Sequence, residues 1–190
     1  MSDRLVTFRT ALASGDADEV NGVIEEVEAM DAGERTALFD DAFEMCLDLY
    51  DDGDGYQRQS IVRFVRELLS RQQLFAIFKN KPDENLSAHV TLDEMEDQIN
   101  RLEAFYLAAL DDDDGRVRLA AIKGLKHLSV AYQMGGDDAR VDELLGALTD
   151  LLADTSGKKR EHVQRARDDV QLGRRGPNLQ KMLSRTTDDG

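Results

Sequence analysis

The chain has 190 residues, 41% of them hydrophobic and 33% charged, with a formal net charge of −15. Its apolar residues fall in periodic blocks, which excludes a disordered chain of the same charge. A single cysteine rules out an intramolecular disulfide framework, and no apolar run approaches the length needed to cross a bilayer.

The opening residues, MSDRLVTFRT, hold neither a basic leader nor an apolar signal core, so the expectation is a cytoplasmic protein without membrane attachment. Spacing and breaks then predict eight helices. The first, 3–14, ends at Ser14-Gly15-Asp16. The second, 17–30, sets Val20, Val23, Ile24, Val27 and Met30 on one face. The third, 33–50, follows the break at 31–33 and puts Cys46 among Phe43, Leu47 and Tyr50, as a small buried hydrophobe. The fourth, 57–78, follows DDGDG at 51–55 and carries the stripe Ile61, Phe64, Val65 and Leu68. Within 71–92, Leu74, Phe75, Ile77 and Phe78 lie close together, either as a buried extension of the second helix pair or as an exposed docking patch. The fifth helix is predicted over 93–110, and the sixth over 116–133 after four aspartates, Asp111–Asp114, and Gly115. The seventh, 138–153, carries Val141, Leu144, Leu145, Leu148 and Leu152, and the eighth runs over 158–172. Both prolines, Pro82 and Pro177, fall outside the helices. Residues 173–190 form a basic tail broken by Gly173, Gly176 and Pro177; its Leu179, Met182 and Leu183 either cap the last helices or fold on a partner. No stretch alternates as a strand does, so the fold class is all-α.

The helices group in pairs, and the second members align. Residues 51–68 superpose on 111–128 without gaps, placing Asp51 on Asp111, Gly55 on Gly115, Arg58 on Arg118 and Leu68 on Leu128. Ile61, Phe64, Val65 and Leu68 fall on Val20, Val23, Ile24 and Val27 one way, while Ala121, Gly124 and Leu128 fall on Val163, Ala166 and Val170 the other way. Helix pairs repeating at such a period indicate units that bury their apolar faces on one another. The run Asp114, Val117, Arg118, Ala121, Leu125, Leu128 resembles the turn and second helix of a HEAT repeat. The copy at 51–68 keeps Asp54, Arg58, Ile61, Val65 and Leu68 but has Gln57 where the family has valine; the first and last units match in spacing alone. The resemblance implies a short right-handed α-solenoid of about four antiparallel helix pairs over 1–172, with units near 1–30, 31–78, 93–133 and 137–172 and an insertion near 72–92. It also implies that Arg58, Arg118 and Arg160 are structural, working with the turn aspartates. It specifies architecture, not activity.

Aspartate outnumbers glutamate two to one, arginine outnumbers lysine by more than that, and tryptophan is absent. This composition resembles proteins of extreme halophiles such as haloarchaea. At ~1 M salt the screening length is only ~3 Å, so a dense carboxylate surface no longer repels itself strongly. The aspartate turns do not make calcium loops: with Gly115 at the sixth position of an EF-hand, the first and twelfth fall on Leu110 and Ala121. With Gly55 there, they fall on Tyr50 and Ile61. Helix capping explains the aspartates instead. His89, His127 and His162 have no zinc-type spacing with Cys46, and no nucleophile–base set or phosphate loop can be assembled. No cofactor, metal or catalysis is expected.

Positive charge is scarce and uneven. Residues 1–156 hold 15 basic against 34 acidic residues, whereas residues 157–190 hold 9 against 5. Under the repeat alignment Arg63, Lys123 and Arg165 coincide, as do Arg66 and Lys126, on the side of each second helix away from its apolar stripe. These five residues either line a basic concave face or are ordinary solvated positions. As a face they suit an acidic protein partner, which makes the chain a scaffold or adaptor. Nucleic-acid or ribosome association is the alternative. Against it, about five phosphate contacts would lose on the order of six decades of affinity between ~0.15 M and ~3 M salt.

Overall fold

The computed structural model describes residues 3–69 and 90–175. Among these the chain forms eight helices and no strand: α1 (Asp3–Ser14), α2 (Ala17–Ala29), α3 (Ala32–Asp52), α4 (Gly55–Leu68), α5 (Leu92–Ala109), α6 (Gly115–Gly135), α7 (Asp138–Asp154) and α8 (Gly157–Arg175). Five of the breaks read from the sequence supply an aspartate cap. The carboxylates of Asp16, Asp31, Asp54, Asp114 and Asp137 accept backbone N–H groups in the first turns of α2, α3, α4, α6 and α7. Asp54 and Gln57 bond reciprocally in a capping box, as do Thr91 and Glu94 at the start of α5. Each such cap contributes ~1 kcal/mol by satisfying a donor that the helix leaves open.

Two boundaries differ from the pattern. α4 ends at Leu68, and Leu69 turns to extended geometry (φ −100°, ψ 109°). The rest of the predicted fourth helix, and the 71–92 segment as far as residue 89, lie outside the described residues. At the other end α8 passes through Gly173 to Arg175. One glycine costs a helix only ~1 kcal/mol relative to alanine, which packing upstream offsets. The tail from residue 176 onward lies outside the described residues.

The apolar stripes account for the packing. Val20, Val23, Ile24 and Val27 of α2 are buried, as are Ile61, Phe64, Val65 and Leu68 of α4. So are Ala121, Leu125 and Leu128 of α6 and Val163, Ala166 and Val170 of α8. Each helix packs on its partner in sequence, α1 on α2, α3 on α4, α5 on α6 and α7 on α8. In addition α4 packs on α2 and on α6, and α8 packs on α6. Among the first helices, α3 packs on α1 and on α5. Arg118 of α6 reaches His162 of α8, and Gln133 near the end of α6 reaches Val170, so these helices run in the same direction. The Tyr132 hydroxyl donates to Glu103 at 2.6 Å, while Gly124 faces Tyr106, so α5 and α6 are antiparallel.

Aromatic rings join the units. Phe8 of α1 meets Phe64 of α4 edge-on at 5.2 Å between centroids, and Phe105 of α5 meets Phe43 and Tyr50 of α3 at 5.8 and 5.3 Å. Cys46 is fully buried in this core, and burial pushes its thiol well above its ordinary value. Among the described residues no helix is long and apolar enough to cross a membrane.

Candidate partner-binding face

Charge separates by helix. α3 carries seven acidic residues against Arg35 alone, α5 carries five against Arg101, and α7 carries five against Arg140. The reverse holds on α6 and α8, but not on α2, which carries five acidic residues and no Lys or Arg. α6 carries Arg116, Arg118, Lys123 and Lys126 and no Asp or Glu; α8 carries seven basic residues against Glu161, Asp168 and Asp169.

The lone arginines of the acidic helices are engaged in packing. Arg35 donates to the carbonyls of Met30, Glu28 and Glu67, so it closes the C-terminal ends of α2 and α4 together. Arg101 donates to Asp40 and Glu44 of α3, both at 2.6 Å, with its guanidinium 4.8 Å from the Phe43 ring centroid. Arg140 of α7 donates to Asn100 and Glu96 of α5 and lies 5.6 Å from the Tyr132 ring centroid. Arg101 and Arg140 thus each tie a first helix to the first helix before it. Spacing along one helix gave no sign of this, because the partners lie on another.

The arginines expected to be structural act through their turns. Arg58 grips Asp112 with two bonds, Nε to Oδ2 at 2.8 Å and Nη2 to Oδ1 at 3.0 Å, and donates from Nη1 to the Gly53 carbonyl at 2.7 Å. Arg118 donates from Nη1 to the Asp112 carbonyl and from Nε to His162 Nδ1 at 2.8 Å. Arg160 donates to the Leu152 carbonyl. The four aspartates before α6 are all engaged. Lys159 of α8 bridges Asp111 and Asp113 at 3.1 Å each. Asp112 also accepts the Tyr50 hydroxyl at 2.7 Å and the Asp114 N–H. Asp114 caps α6 and pairs with Arg116 at 2.7 Å. This turn therefore fastens α3 and α4 on one side and α8 on the other. Among the described residues no group of His, Cys, Asp and Glu could hold a metal ion.

Electrostatics follow the same contacts. Burial alone would raise the Asp112 carboxyl, but the bonds from Arg58, the Asp114 N–H and Tyr50 outweigh it and hold the group below the usual range. The bonds from the Arg116 side chain and backbone pull Asp114 down to about 2. His162 is depressed by burial and then by the neighbouring charges of Arg118 and Arg165. Its Nδ1 accepts from Arg118, so that nitrogen bears no proton. A histidine depressed on folding stabilises fully above its unfolded value of ~6.5, and that stability is lost as pH falls through the folded value. The urea midpoint is therefore expected to fall between pH 6.5 and 5. A His162→Gln variant, whose side-chain carbonyl still accepts from Arg118, is expected to show a flatter profile over that window. Equal slopes in the two proteins would remove His162 from the account.

The five basic positions divide into two groups. Arg63 is half-buried and donates to Asn21 of α2 at 2.9 Å, and Arg66 is half-buried against Glu67 at 2.6 Å. No residue of α4 is fully exposed. The helix has neighbours on several sides, so Arg63 is drawn onto Asn21 of α2, while Arg66 pairs with Glu67 of its own helix. Lys123, Lys126 and Arg165 are exposed, and among the described residues none of them forms an ion pair. They do not stand alone. Leu119, Val130 and Met134 are exposed on α6 at 38%, 41% and 63%, and Leu172 on α8 at 62%. At 100° per residue, Leu119, Lys123, Lys126, Val130 and Met134 fall within about 80° of one another, a single stripe along α6. Glu161, Arg165, Asp168 and Leu172 make the matching stripe on α8. Helical spacing turns these apolar residues outward with the lysines, opposite the buried stripe of Ala121, Leu125 and Leu128, although the sequence reading followed only the charges on that side.

No family model, no curated protein and no solved structure matches the chain.

Proposed function

We propose that the four helix pairs form a HEAT-like α-solenoid that serves as a non-catalytic scaffold, binding an acidic protein partner on the open faces of α6 and α8. The observation that carries this reading is α6, which has no acidic residue in a chain of net charge −15 and leaves Lys123 and Lys126 exposed. Arg35, Arg58, Arg101, Arg118 and Arg140 are engaged in packing, whereas these lysines and Arg165 stand exposed on the two stripes and are the cations offered to a partner there. Arg63 and Arg66 lie in the same register but are partly spent on Asn21 and Glu67. They act as a weaker continuation of the face.

The acidic shell suits a high-salt cytoplasm, where such a surface stays hydrated and soluble. Salt weakens nucleic-acid binding through phosphates, and the exposed stripes of α6 and α8 offer no aromatic residue for stacking. The immobilised chain is expected to retain acidic proteins from lysate in molar KCl after nuclease treatment, and the Lys123→Glu/Arg165→Glu variant to lose them. Loss on nuclease treatment would favour nucleic acid, and unchanged capture by the variant would contradict the face.

A further inference from the structure

The exposed stripes of α6 and α8 are ordered along their length. Basic side chains (Lys123, Lys126, Arg165) occupy the first part, and apolar ones (Val130, Met134, Leu172) the last. The two helices run in the same direction, and the bond from Gln133 to the Val170 carbonyl sets the last turn of α6 beside the turn of α8 that precedes Leu172. The apolar ends therefore fall together, and the basic parts fall together. Leu119, at the start of the α6 stripe, has the exposed Glu161 as its counterpart on α8, so no second apolar patch forms there. Asp168, the other acidic residue of the α8 stripe, accepts from Gln164 at 2.8 Å.

We infer that the partner segment is a block-patterned peptide: acidic side chains opposite Lys123, Lys126 and Arg165, followed by apolar side chains over Val130, Met134 and Leu172. This rests on the acidic-partner reading and specifies what that partner contains. The physical reason is the solvent. Charge attraction between exposed groups fades once the screening length falls to ~3 Å at ~1 M salt, whatever the anion. Apolar burial does not fade, and excluded salts strengthen it. A face built of lysines alone would lose its ligand under those conditions. Adding an apolar end supplies affinity that salt cannot remove, while the lysines retain the choice of an acidic ligand and fix its direction.

The test uses three fluorescent peptides on the full chain, in KCl concentrations at which circular dichroism shows it folded. One has an acidic block followed by an apolar block, one has the same composition scrambled, and one is acidic throughout. The block peptide is expected to bind at least about tenfold tighter than the all-acidic one, equivalent to 1.4 kcal/mol, and to hold its affinity as salt rises. Met134→Ser and Leu172→Ser, at positions 63% and 62% exposed, are expected to leave the fold intact and abolish that advantage. Equal binding of block and all-acidic peptides, or no effect of the serine variants, overturns the inference while leaving an acidic partner in place. Binding of single-stranded oligouridylate with no binding of any acidic peptide overturns both.

Discussion

Asp112→Ala is expected to lower the stability of the chain by ~2 kcal/mol, between the ranges for exposed and fully buried ion pairs. The Asp112 side chain is 6% exposed and that of Arg58 25%. Alanine leaves the guanidinium half-buried with only the Gly53 carbonyl, and leaves the Tyr50 hydroxyl without its acceptor. It also removes a tie between the pair α3–α4 and the turn that carries α6. The measurement is the urea midpoint, with the slope checked for two-state behaviour. Removing Arg58 as well, as Asp112→Ala/Arg58→Met, is expected to recover part of the loss, since no uncompensated charge remains. A double variant that loses as much as the two single changes added together would show that Asp112 and Arg58 act independently.

The same contacts fix the acid limb. Asp112 and Asp114 are both held below the ordinary aspartate value of 3.8. Groups depressed on folding give stability that is complete above their unfolded value and lost as pH falls through the folded one. Stability is therefore expected to decline from about pH 4 toward pH 2, and Asp112→Asn to flatten the upper part of that decline.

Gly124→Ala is expected to cost ~2 kcal/mol by overpacking. A Cβ there would lie 2.6, 2.7 and 2.8 Å from three atoms of the Tyr106 ring, which is 2% exposed and has no room to withdraw. In the repeat alignment Gly124 stands where α4 has Phe64 and α8 has Ala166, so the tyrosine of α5 fills the space that its own partner helix leaves. Helix propensity works the other way, favouring alanine over glycine by ~1 kcal/mol. Gly146 separates the two effects, because a Cβ on it meets nothing within 4 Å. Gly146→Ala is accordingly expected to raise the thermal midpoint and Gly124→Ala to lower it. A rise in both would mean that Tyr106 moves aside and that the α5–α6 contact is looser than its geometry.

These two sites mark what the sequence revealed and what it hid. Helix number, the capping aspartates and the buried stripes followed from periodicity, because 3.6-residue spacing and cap chemistry are local. The repeat alignment placed Gly124 on Ala166 without a reason for a glycine there; that reason lies in Tyr106, eighteen residues earlier. Cation partners were the least legible. Register placed Arg63 with Lys123, yet a long side chain binds whatever its tertiary neighbours offer, and α2 offers Asn21. Lys123 has no such neighbour among the described residues and stays exposed. Val130 and Met134 lie by spacing on the same outward side as Lys123 and Lys126, and the structure leaves them exposed because α4, α5, α7 and α8 occupy the other sides of α6.

The face on α6 and α8 is the central claim, and lysine footprinting with poly-glutamate tests it most directly. The chain is acylated with and without the polymer, at the lowest KCl concentration that keeps it folded, and each lysine is read by mass spectrometry. Lys159, already bridged to Asp111 and Asp113, is the internal reference. The account predicts strong protection of Lys123 and Lys126, and little change at Lys159. Unchanged labelling of Lys123 and Lys126 while poly-glutamate is bound would contradict it.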